Sequence, residues 1–311
     1  MKNMKKWWFL MSGALVGWVH GEVSLKAEGK TVSVLHDGEV VAVYRGDQRV
    51  PCIYPLVGPT GTNVTRHYPL GEGTTGEEKD HPHHVSFWMA HGDVNGHDFW
   101  HGKENRIVHK GVTHSSSQSV DGVDEANLTV ELEWQAGEKV VLTEERKYRF
   151  HFEKETWLVD VSCALSAVEE AVFGDTKEGT FAIRVTPTLR MKGEVGEGKI
   201  LDSEGRTDGD CWGKRSKWVA FHGPDSAGES LVVALMDHRD NLRHPTWWHA
   251  RDYGLLAANP FGQHDFEGLK DQPEIGDFTL AEGKSFTQRY RLVLSAGKAD
   301  GAALEGLWKN W

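Results

Sequence analysis

The sequence predicts an all-β protein, built as a single large antiparallel β-sandwich. Short apolar bursts alternate with polar residues at a period of two, which is the pattern of half-buried strands. Turns rich in Gly, Asp and Glu separate these bursts at the spacing typical of sandwich strands. The chain has 35 glycines and no long stretch with the 3.6-residue period of a helix, which argues against a doubly wound α/β fold.

The first predicted element is a β-hairpin over residues 22–44, where Val32 and Val34 precede the turn His36-Asp37-Gly38 and an apolar run follows it. The same alternation predicts strands over most of the remaining chain and a single helix over residues 302–308. The further predicted strands cover residues 127–134, 140–152, 157–165, 179–189, 218–222, 231–236 and 285–294.

Residues 1–21 have the pattern of a secretory signal peptide. Lysines at positions 2, 5 and 6 precede an apolar run over residues 7–19, which is shorter than the roughly 20 residues that span a bilayer. We expect cleavage near Gly21 and export to the periplasm or the extracellular space. The mature chain is then one domain over residues 22–311, with no integral membrane span after cleavage.

The composition is acidic, with 35 Lys and Arg against 46 Asp and Glu. Nucleic acid is not an expected partner, because binding to phosphates needs clustered cations that this chain lacks. Cys52, Cys163 and Cys211 are too few and too far apart for a disulfide framework or a zinc ribbon. One disulfide remains open as an alternative.

Two long polar segments, over residues 55–101 and 237–265, interrupt the strand pattern. Loops of this length are uncommon in a compact β-protein unless they carry function. We expect the two segments to be irregular, to converge at one end of the sandwich and to enclose a small-molecule carbohydrate.

The first segment holds six of the 17 histidines between Asp80 and His101. Imidazole titrates near neutral pH and is the commonest metal ligand, so the cluster indicates acid–base or metal chemistry. On a strand, His81 and His83 share one face and form a candidate half-site for Zn²⁺, Mn²⁺ or Fe²⁺. Acid–base or sugar-binding roles without a metal, and a purely structural role, are the alternatives. No cofactor is therefore assigned beyond this divalent metal.

Further candidates in the first segment are residues that could contact substrate. Arg66 lies early in the segment, and Asp93, Asn95 and Trp100 lie among the histidines. A carboxylate beside several imidazoles orients one of them or completes a metal shell. The alternative for Asn95 and the glycine after it is a tight turn.

The second segment combines indoles, imidazoles and guanidinium groups, with His244, Trp248, His249 and Arg251 as candidates. A flat ring beside charged groups is a common way to bind a sugar, whereas burial in the core is the alternative for each tryptophan. Between the two segments, Glu178 and Arg184 lie six residues apart on one face of a predicted strand. They are candidates for a catalytic carboxylate and an anion clamp.

Four stretches in order carry a resemblance to a known family. They are DHPHHVSFWMAHGDVNGHDFW, GDTKEGTFAIRV, CWGKRSKW and HPTWWHARDYGLLAANPFG. Together they resemble the PmoA-like family, also labelled "methane oxygenase PmoA", otherwise a family of unknown function. Methane oxidation is not expected, because the true subunit is an integral membrane protein.

The resemblance implies an all-β fold of the galactose-mutarotase or supersandwich type and a carbohydrate role. Mutarotase-like sites use histidines and a carboxylate as acid and base, which by chemistry corresponds here to His84, His91, His249 and Glu178. The sequence therefore predicts an exported carbohydrate-active enzyme, a lyase, hydrolase or epimerase, with 3-keto glycosides as candidate substrates and with or without a metal. The alternatives are a non-catalytic carbohydrate-binding protein and a redox enzyme with histidine-bound copper or iron.

Overall fold

The computed structural model describes residues 22–120 and 123–311, so the predicted signal peptide lies outside the described residues. The described chain is built mainly from antiparallel strands, which confirms the predicted fold class. The strands are β1 (Val23–Glu28), β2 (Thr31–His36), β3 (Glu39–Arg45), β4 (Cys52–Leu56), β5 (Phe87–His91), β6 (Asn105–Val120), β7 (Val123–Ala136), β8 (Lys139–Glu153), β9 (Thr156–Ala167), β10 (Ala171–Phe173), β11 (Gly179–Arg184), β12 (Lys199–Asp202), β13 (Trp218–Pro224), β14 (Ser230–Asp237), β15 (Trp247–Ala250), β16 (Leu255–Asn259), β17 (Phe278–Leu280) and β18 (Ser285–Ala296). The helices are α1 (Gln263–Glu267) and α2 (Gly301–Lys309), with 3-10 turns at Pro187–Leu189 and Asp208–Cys211.

Two eight-stranded sheets make up the sandwich. The first sheet has the order β1-β2-β3-β4-β5-β11-β16-β15, and the second has the order β12-β13-β14-β18-β9-β8-β7-β6. Strands β10 and β17 form a separate small ribbon. The second sheet is therefore mostly a meander, whereas the first sheet brings together strands from distant parts of the chain.

Aromatic side chains join the two sheets across the core. Phe181 of β11 stacks on Tyr290 of β18, with ring centroids 4.5 Å apart, and Tyr44 of β3 lies 5.9 Å from Tyr148 of β8. Because side chains alternate along a strand, the neighbours of Phe181 point to the opposite, outer face of the first sheet. That outer face carries the candidate site.

Several predicted elements are confirmed with small changes in length. The predicted turn lies between β2 and β3, where Asp37 and Gly38 have positive φ values of 54° and 81°. The predicted C-terminal helix is α2, and the Asp300 side chain caps its first backbone N–H groups. The strand predicted over residues 179–189 ends at Arg184, because a 3-10 turn follows.

The two long segments are less irregular than predicted. Strand β5 lies within the first segment, and strands β15 and β16 lie within the second. Strands β5 and β16 are buried at every position, so they show no alternation of apolar and polar residues. A strand covered on both faces lacks the period of two on which the sequence analysis relied.

Other features of the described chain bear on the remaining predictions. Within residues 22–120 and 123–311, no helix combines the length and the apolar character needed to cross a membrane. The thiols of Cys52, Cys163 and Cys211 are buried and unpaired, so the alternative of a disulfide is not realised.

Candidate functional site

The two polar segments meet on the outer face of the first sheet. Strands β5 and β15 are separated only by β11 and β16, and Trp88, Ala182, Ala257 and His249 lie in one register row across the four strands. Residues paired in register share a face of the sheet. The segments around His84 and His249 therefore do meet, but on the outer face of the first sheet and not, as predicted, at one end of the sandwich.

Asp80 is the centre of the polar cluster. The loop before β5 folds over the sheet, and the Asp80 carboxylate accepts hydrogen bonds from the buried guanidinium groups of Arg66 and Arg184. Arg66 also donates to the backbone carbonyls of Asp80 and His81 at 2.9 and 2.8 Å. Arg66 thus holds the loop in place and does not face a ligand.

Burial and charge act in opposite directions on this group of residues. Burial raises the pKa of Asp80, but the nearby Arg184, His81 and Arg66 outweigh it, so the pKa of the carboxyl is lowered overall. Burial lowers the pKa of Arg66 to about 10, which still leaves the guanidinium charged at neutral pH. One charged carboxylate is therefore shared by two charged guanidinium groups.

His81 forms a hydrogen-bonded pair with Asp80. Its Nδ1 lies 2.7 Å from Oδ2 of Asp80, and 40 % of its side chain is exposed. When the ring is neutral, Nδ1–H donates to the carboxylate and Nε2 is left as a proton acceptor. His81 also has a positive φ of 41°, a conformation in which a residue other than glycine is strained. Backbone strain of this kind is commonest at functional sites, where a side chain must be held in one orientation.

His84 is buried and lies between this pair and the sheet. A guanidinium can only donate, so Nδ1 of His84 accepts the hydrogen bond of 3.0 Å from Arg184. Burial and the neighbouring His83 and Arg184 lower the pKa of His84 well below its ordinary value. The ring is therefore neutral with its proton on Nε2, and it can donate a hydrogen bond but cannot act as a base.

A row of imidazoles links His81 to Glu178. The ring of His83 lies 5.7 Å from that of His81 and 4.2 Å from that of His101, and Nε2 of His101 lies 3.6 Å from Oε2 of Glu178. Burial, His101 and His81 lower the pKa of His83 to about 3. His101 is exposed, and its Nδ1 lies 3.3 Å from Asp98. The predicted carboxylate Glu178 therefore belongs to the same surface as the histidines.

Tyr253 is the aromatic member of the cluster that the sequence analysis missed. Its ring stacks on His81 at 5.1 Å with planes 11° apart, and the guanidinium carbon of Arg184 lies 4.5 Å from its centroid. Burial raises the pKa of the Tyr253 hydroxyl. The RDY motif, which places a tyrosine two residues after an arginine in the second segment, was the available sequence signal.

His249 and Arg251 approach the cluster from β15. His249 is buried, donates from Nδ1 to the Lys177 carbonyl at 3.1 Å, and has its pKa lowered to about 4 by burial and by Arg251. Arg251 is half-buried, and its Cζ lies 5.4 Å from the Tyr253 ring centroid. Of the two, Arg251 is the one with access to a ligand.

His91, predicted as catalytic, lies outside the cluster. It is fully buried on the opposite face of β5, against Phe261 at 4.9 Å, and it donates from Nε2 to the Gly174 carbonyl. A Cβ on Gly179, its register partner, would lie only 2.5 Å from Nδ1 of His91. His91 is thus a packing residue, and its burial lowers its pKa to about 4.

Asp93, Asn95 and Trp100, predicted as substrate contacts, have structural roles. Asp93 accepts from the Gly96 N–H in a tight turn, where Asn95 has a positive φ of 54°. The Asn95 side chain exchanges hydrogen bonds with the backbone of Glu170 and Val172. Trp100 is buried, with its ring 5.1 Å from that of Trp88. The turn alternative describes this segment correctly.

His244 and Trp248 also lie away from the cluster. His244 donates to the Asp237 carboxylate at 2.6 Å and stacks on Trp308 of α2. Trp248 is completely buried and donates from its indole N–H to the Ser216 carbonyl. Neither residue offers a face to a sugar, which corrects the predicted stacking role.

Metal binding at His81 and His83 lacks a complete ligand set. Among residues 22–120 and 123–311, no group of three or more His, Cys, Asp or Glu side chains is placed to hold a metal ion. Nδ1 of His81 is already hydrogen-bonded to Asp80, and Nε2 of His83 is buried without a hydrogen-bond partner in the described chain. The residues do not fit a metal centre, and no step below uses one.

A groove of about 700 Å³ lies on the other side of the sandwich. Outward-facing residues of β6 to β9 and β18 line it together with Trp311. Its ionic groups include exposed pairs such as Lys147 with Glu145, and it holds only one histidine, His114. This groove therefore lacks the titratable cluster that marks the first sheet.

Fold and site together define an antiparallel β-sandwich protein with an imidazole-rich, arginine-supported site on one sheet face. The chain belongs to DUF6807, a family of unknown function whose model matches residues 23–309. The resemblance to PmoA-like proteins stays a prediction. No curated protein sequence matches the chain.

Solved structures similar to this chain are distant from it. The galactosidase domain of an α-galactosidase–sucrose kinase is 12 % identical over 68 % of this chain and 30 % of its own, with a TM-score of 0.34. A glycoside hydrolase family 97 enzyme from Pseudoalteromonas sp. strain K8 is 11 % identical over 89 % of this chain and 34 % of its own, at 0.34. A putative aldose 1-epimerase from Escherichia coli K12 is 11 % identical over 89 % of this chain and 100 % of its own, at 0.28. The chain spans about a third of the length of the first two.

Proposed function

We propose that this protein is an exported carbohydrate-active enzyme that moves protons on a sugar with the Asp80–His81 pair as its base. The observation that carries this proposal is the 2.7 Å contact between Nδ1 of His81 and Oδ2 of Asp80, on a side chain that is 40 % exposed. A carboxylate that fixes one ring nitrogen sets the tautomer and leaves the other nitrogen to accept a proton. This pair takes the role of base that Glu178 or His249 was expected to have.

The surroundings support a base at this position. Arg66 and Arg184 keep the Asp80 carboxylate charged and fixed, so it stabilises the imidazolium that forms when His81 takes a proton. The strained backbone at His81 and the Tyr253 ring stacked on it hold the imidazole in one orientation. A preorganised base needs no rearrangement during the reaction.

The opposite role, proton donation, falls to the Glu178–His101 pair. Their side chains lie 3.6 Å apart at the far end of the imidazole row, and both are accessible to solvent. Arg184, which donates a hydrogen bond to the buried and neutral His84, adds positive charge beneath an oxygen that gains negative charge. General acid–base catalysis of this kind contributes roughly 10²–10⁴-fold to a rate.

The reaction class is the removal of a proton from a sugar, as in a lyase, an epimerase or a hydrolase. A 3-keto glycoside is a favourable substrate for such a base, because the ketone acidifies the neighbouring C–H bond. Tyr253 is the aromatic side chain at this surface, since Trp100 and Trp248 are buried.

The test is turnover by the mature protein, residues 22–311, against a panel of native and 3-keto glycosides, with and without a chelator. We expect turnover that the chelator leaves unchanged and that falls roughly 10²–10⁴-fold in His81→Gln, with sugar binding retained. His114→Gln, which changes an exposed histidine on β6 of the second sheet, is the matched control and should keep wild-type rates. Full activity in His81→Gln, or binding of panel members without any turnover by the wild-type protein, contradicts the proposal.

A further inference from the structure

Arg251 is the exception among the cations of the candidate site, because within the described residues its guanidinium has neither an ion pair nor a hydrogen-bond partner. Arg49, near His83, donates to the backbone carbonyls of Phe99, Trp100 and Asn105. The remaining guanidinium and ammonium groups around the cluster each have a carboxylate within 4 Å. These pairs are Arg66 and Arg184 with Asp80, Arg190 with Glu78, Lys177 with Glu178, and Lys192 with Asp252. A half-buried guanidinium that is not paired with a carboxylate of the protein can bind an anionic group of a ligand.

Arg251 and the proposed base lie against the same aromatic ring. The Arg251 Cζ is 5.4 Å from the Tyr253 centroid, and the His81 ring is 5.1 Å from it. A sugar bound beside Tyr253 therefore lies near both the guanidinium and the imidazole.

The charge around this surface also favours an anion. Two buried guanidinium groups share the single carboxylate of Asp80, which leaves excess positive charge beside His81. The chain as a whole has a formal net charge of −11. The positive charge beside His81 is therefore local and opposite in sign to the overall charge of the protein. Positive charge next to a neutral base stabilises both a bound carboxylate and the carbanion formed beside it.

From these observations we infer that the substrate is a sugar acid, a 4-linked uronate whose carboxylate binds Arg251. The inference rests on the proposed function and deepens it by naming the substrate class. A bidentate guanidinium–carboxylate contact neutralises the carboxylate and makes the proton on the adjacent carbon, C5, easier to remove.

The reaction is a β-elimination that balances without a further reactant. Nε2 of His81 takes the C5 proton, the C5–H electron pair forms the C4=C5 double bond, and the C4–O4 bond breaks. The leaving O4 keeps that bond's electrons and takes a proton from the Glu178–His101 pair. The products are a 4,5-unsaturated uronide and a shorter chain with a free hydroxyl, and the proton on His81 returns to solvent or to Glu178.

The test compares a 4-linked oligogalacturonate with its methyl ester, which has the same shape but no charge. The conjugated double bond of the product absorbs in the near ultraviolet, so elimination is followed directly. We expect the wild-type kcat/KM to be roughly 10–150-fold higher for the acid than for the ester, the range given by one charge-assisted contact. Arg251→Gln should lose that factor for the acid while leaving the rate on the ester nearly unchanged. Arg106→Gln, at an exposed position on β6, is the control.

The outcomes separate this inference from the proposed function. Turnover of neutral or esterified sugars at the same rate as the acid, with no effect of Arg251→Gln on the ratio, overturns the uronate assignment and leaves the acid–base proposal standing. Equal loss on acid and ester in Arg251→Gln also overturns it, because a purely structural role affects both. Failure to turn over any sugar, charged or neutral, rejects both.

Discussion

Replacing Asp80 with asparagine is the most direct perturbation of the site. The carboxylate accepts hydrogen bonds from two buried guanidinium groups and from Nδ1 of His81. Asparagine is similar in shape but carries no charge, and its amide N–H₂ group would face a guanidinium. Removing one partner of a buried ion pair costs about 3–5 kcal/mol. Because 28 % of the Asp80 side chain is exposed, solvent screens part of this cost, and we expect about 2–3 kcal/mol.

The measurement is urea denaturation of Asp80→Asn and wild type at pH 7, with Asp47→Asn as the control. Asp47 pairs with Arg45 at a partly exposed position, where such a pair contributes less than about 1 kcal/mol. The expected loss for Asp80→Asn corresponds to a fall in Tm of roughly 3–5 °C for a chain of this size. A loss no larger than that of Asp47→Asn would refute the assigned role of Asp80.

The difference in unfolding free energy between these two proteins should depend on pH, and its sign follows from the pKa shift of Asp80. The pKa of Asp80 is lowered in the folded protein, so its contribution is present above the ordinary Asp value of about 3.9 and is lost as the pH falls through the folded value. The difference in unfolding free energy between wild type and Asp80→Asn should therefore shrink below about pH 4. A difference that stays constant between pH 7 and pH 3 contradicts the argument.

Three further predictions concern residues placed by the structure, and a fourth concerns the N-terminus. Burial lowers the pKa of His91 to about 4, so the folded protein should lose stability as the pH falls from about 6.5 to 4, and His91→Phe should flatten that slope in urea titrations. Trp248→Ala should cost about 3–5 kcal/mol of unfolding free energy, because the indole is fully buried. Glu178→Gln should lower turnover roughly 10²–10⁴-fold while changing the unfolding free energy by less than about 0.5 kcal/mol. N-terminal sequencing of the exported protein should begin near Glu22, and an N-terminus at Met1 contradicts the predicted cleavage.

The fold was largely predictable because strands exposed on one face keep their alternation in the sequence. Strand β8 alternates buried and exposed residues and β9 alternates buried and partly buried residues along most of their length, and both were predicted within a few residues. Strand β6 was missed because it is an edge strand rich in Ser, Thr and His, with mostly exposed positions along its second half. Edge strands of this kind are kept polar, which removes the apolar signal.

The site was only partly predictable, because sequence identifies chemistry but not direction. The density of histidines points to this surface, and the structure brings Glu178, Arg184 and Arg251 near it, while their functional roles stay predictions. Whether a histidine on β5 points outward or into the core depends on register, and His91 lies on the inner face. The pairing of His81 with Asp80 depends on a backbone bend with positive φ, which the letters DHPHH do not specify.

The three buried cysteines can be used to measure local opening of the native protein. Burial raises the pKa of Cys52 and Cys211 to about 12, so each sulfur stays protonated and unreactive until the chain around it opens. Cys52 lies on β4 of the first sheet and Cys163 on β9 of the second, so alkylation followed by mass analysis would measure the opening of each sheet separately. Purification needs no oxidant, and a substrate that tightens the first sheet would slow labelling at Cys52 before it affects Cys163.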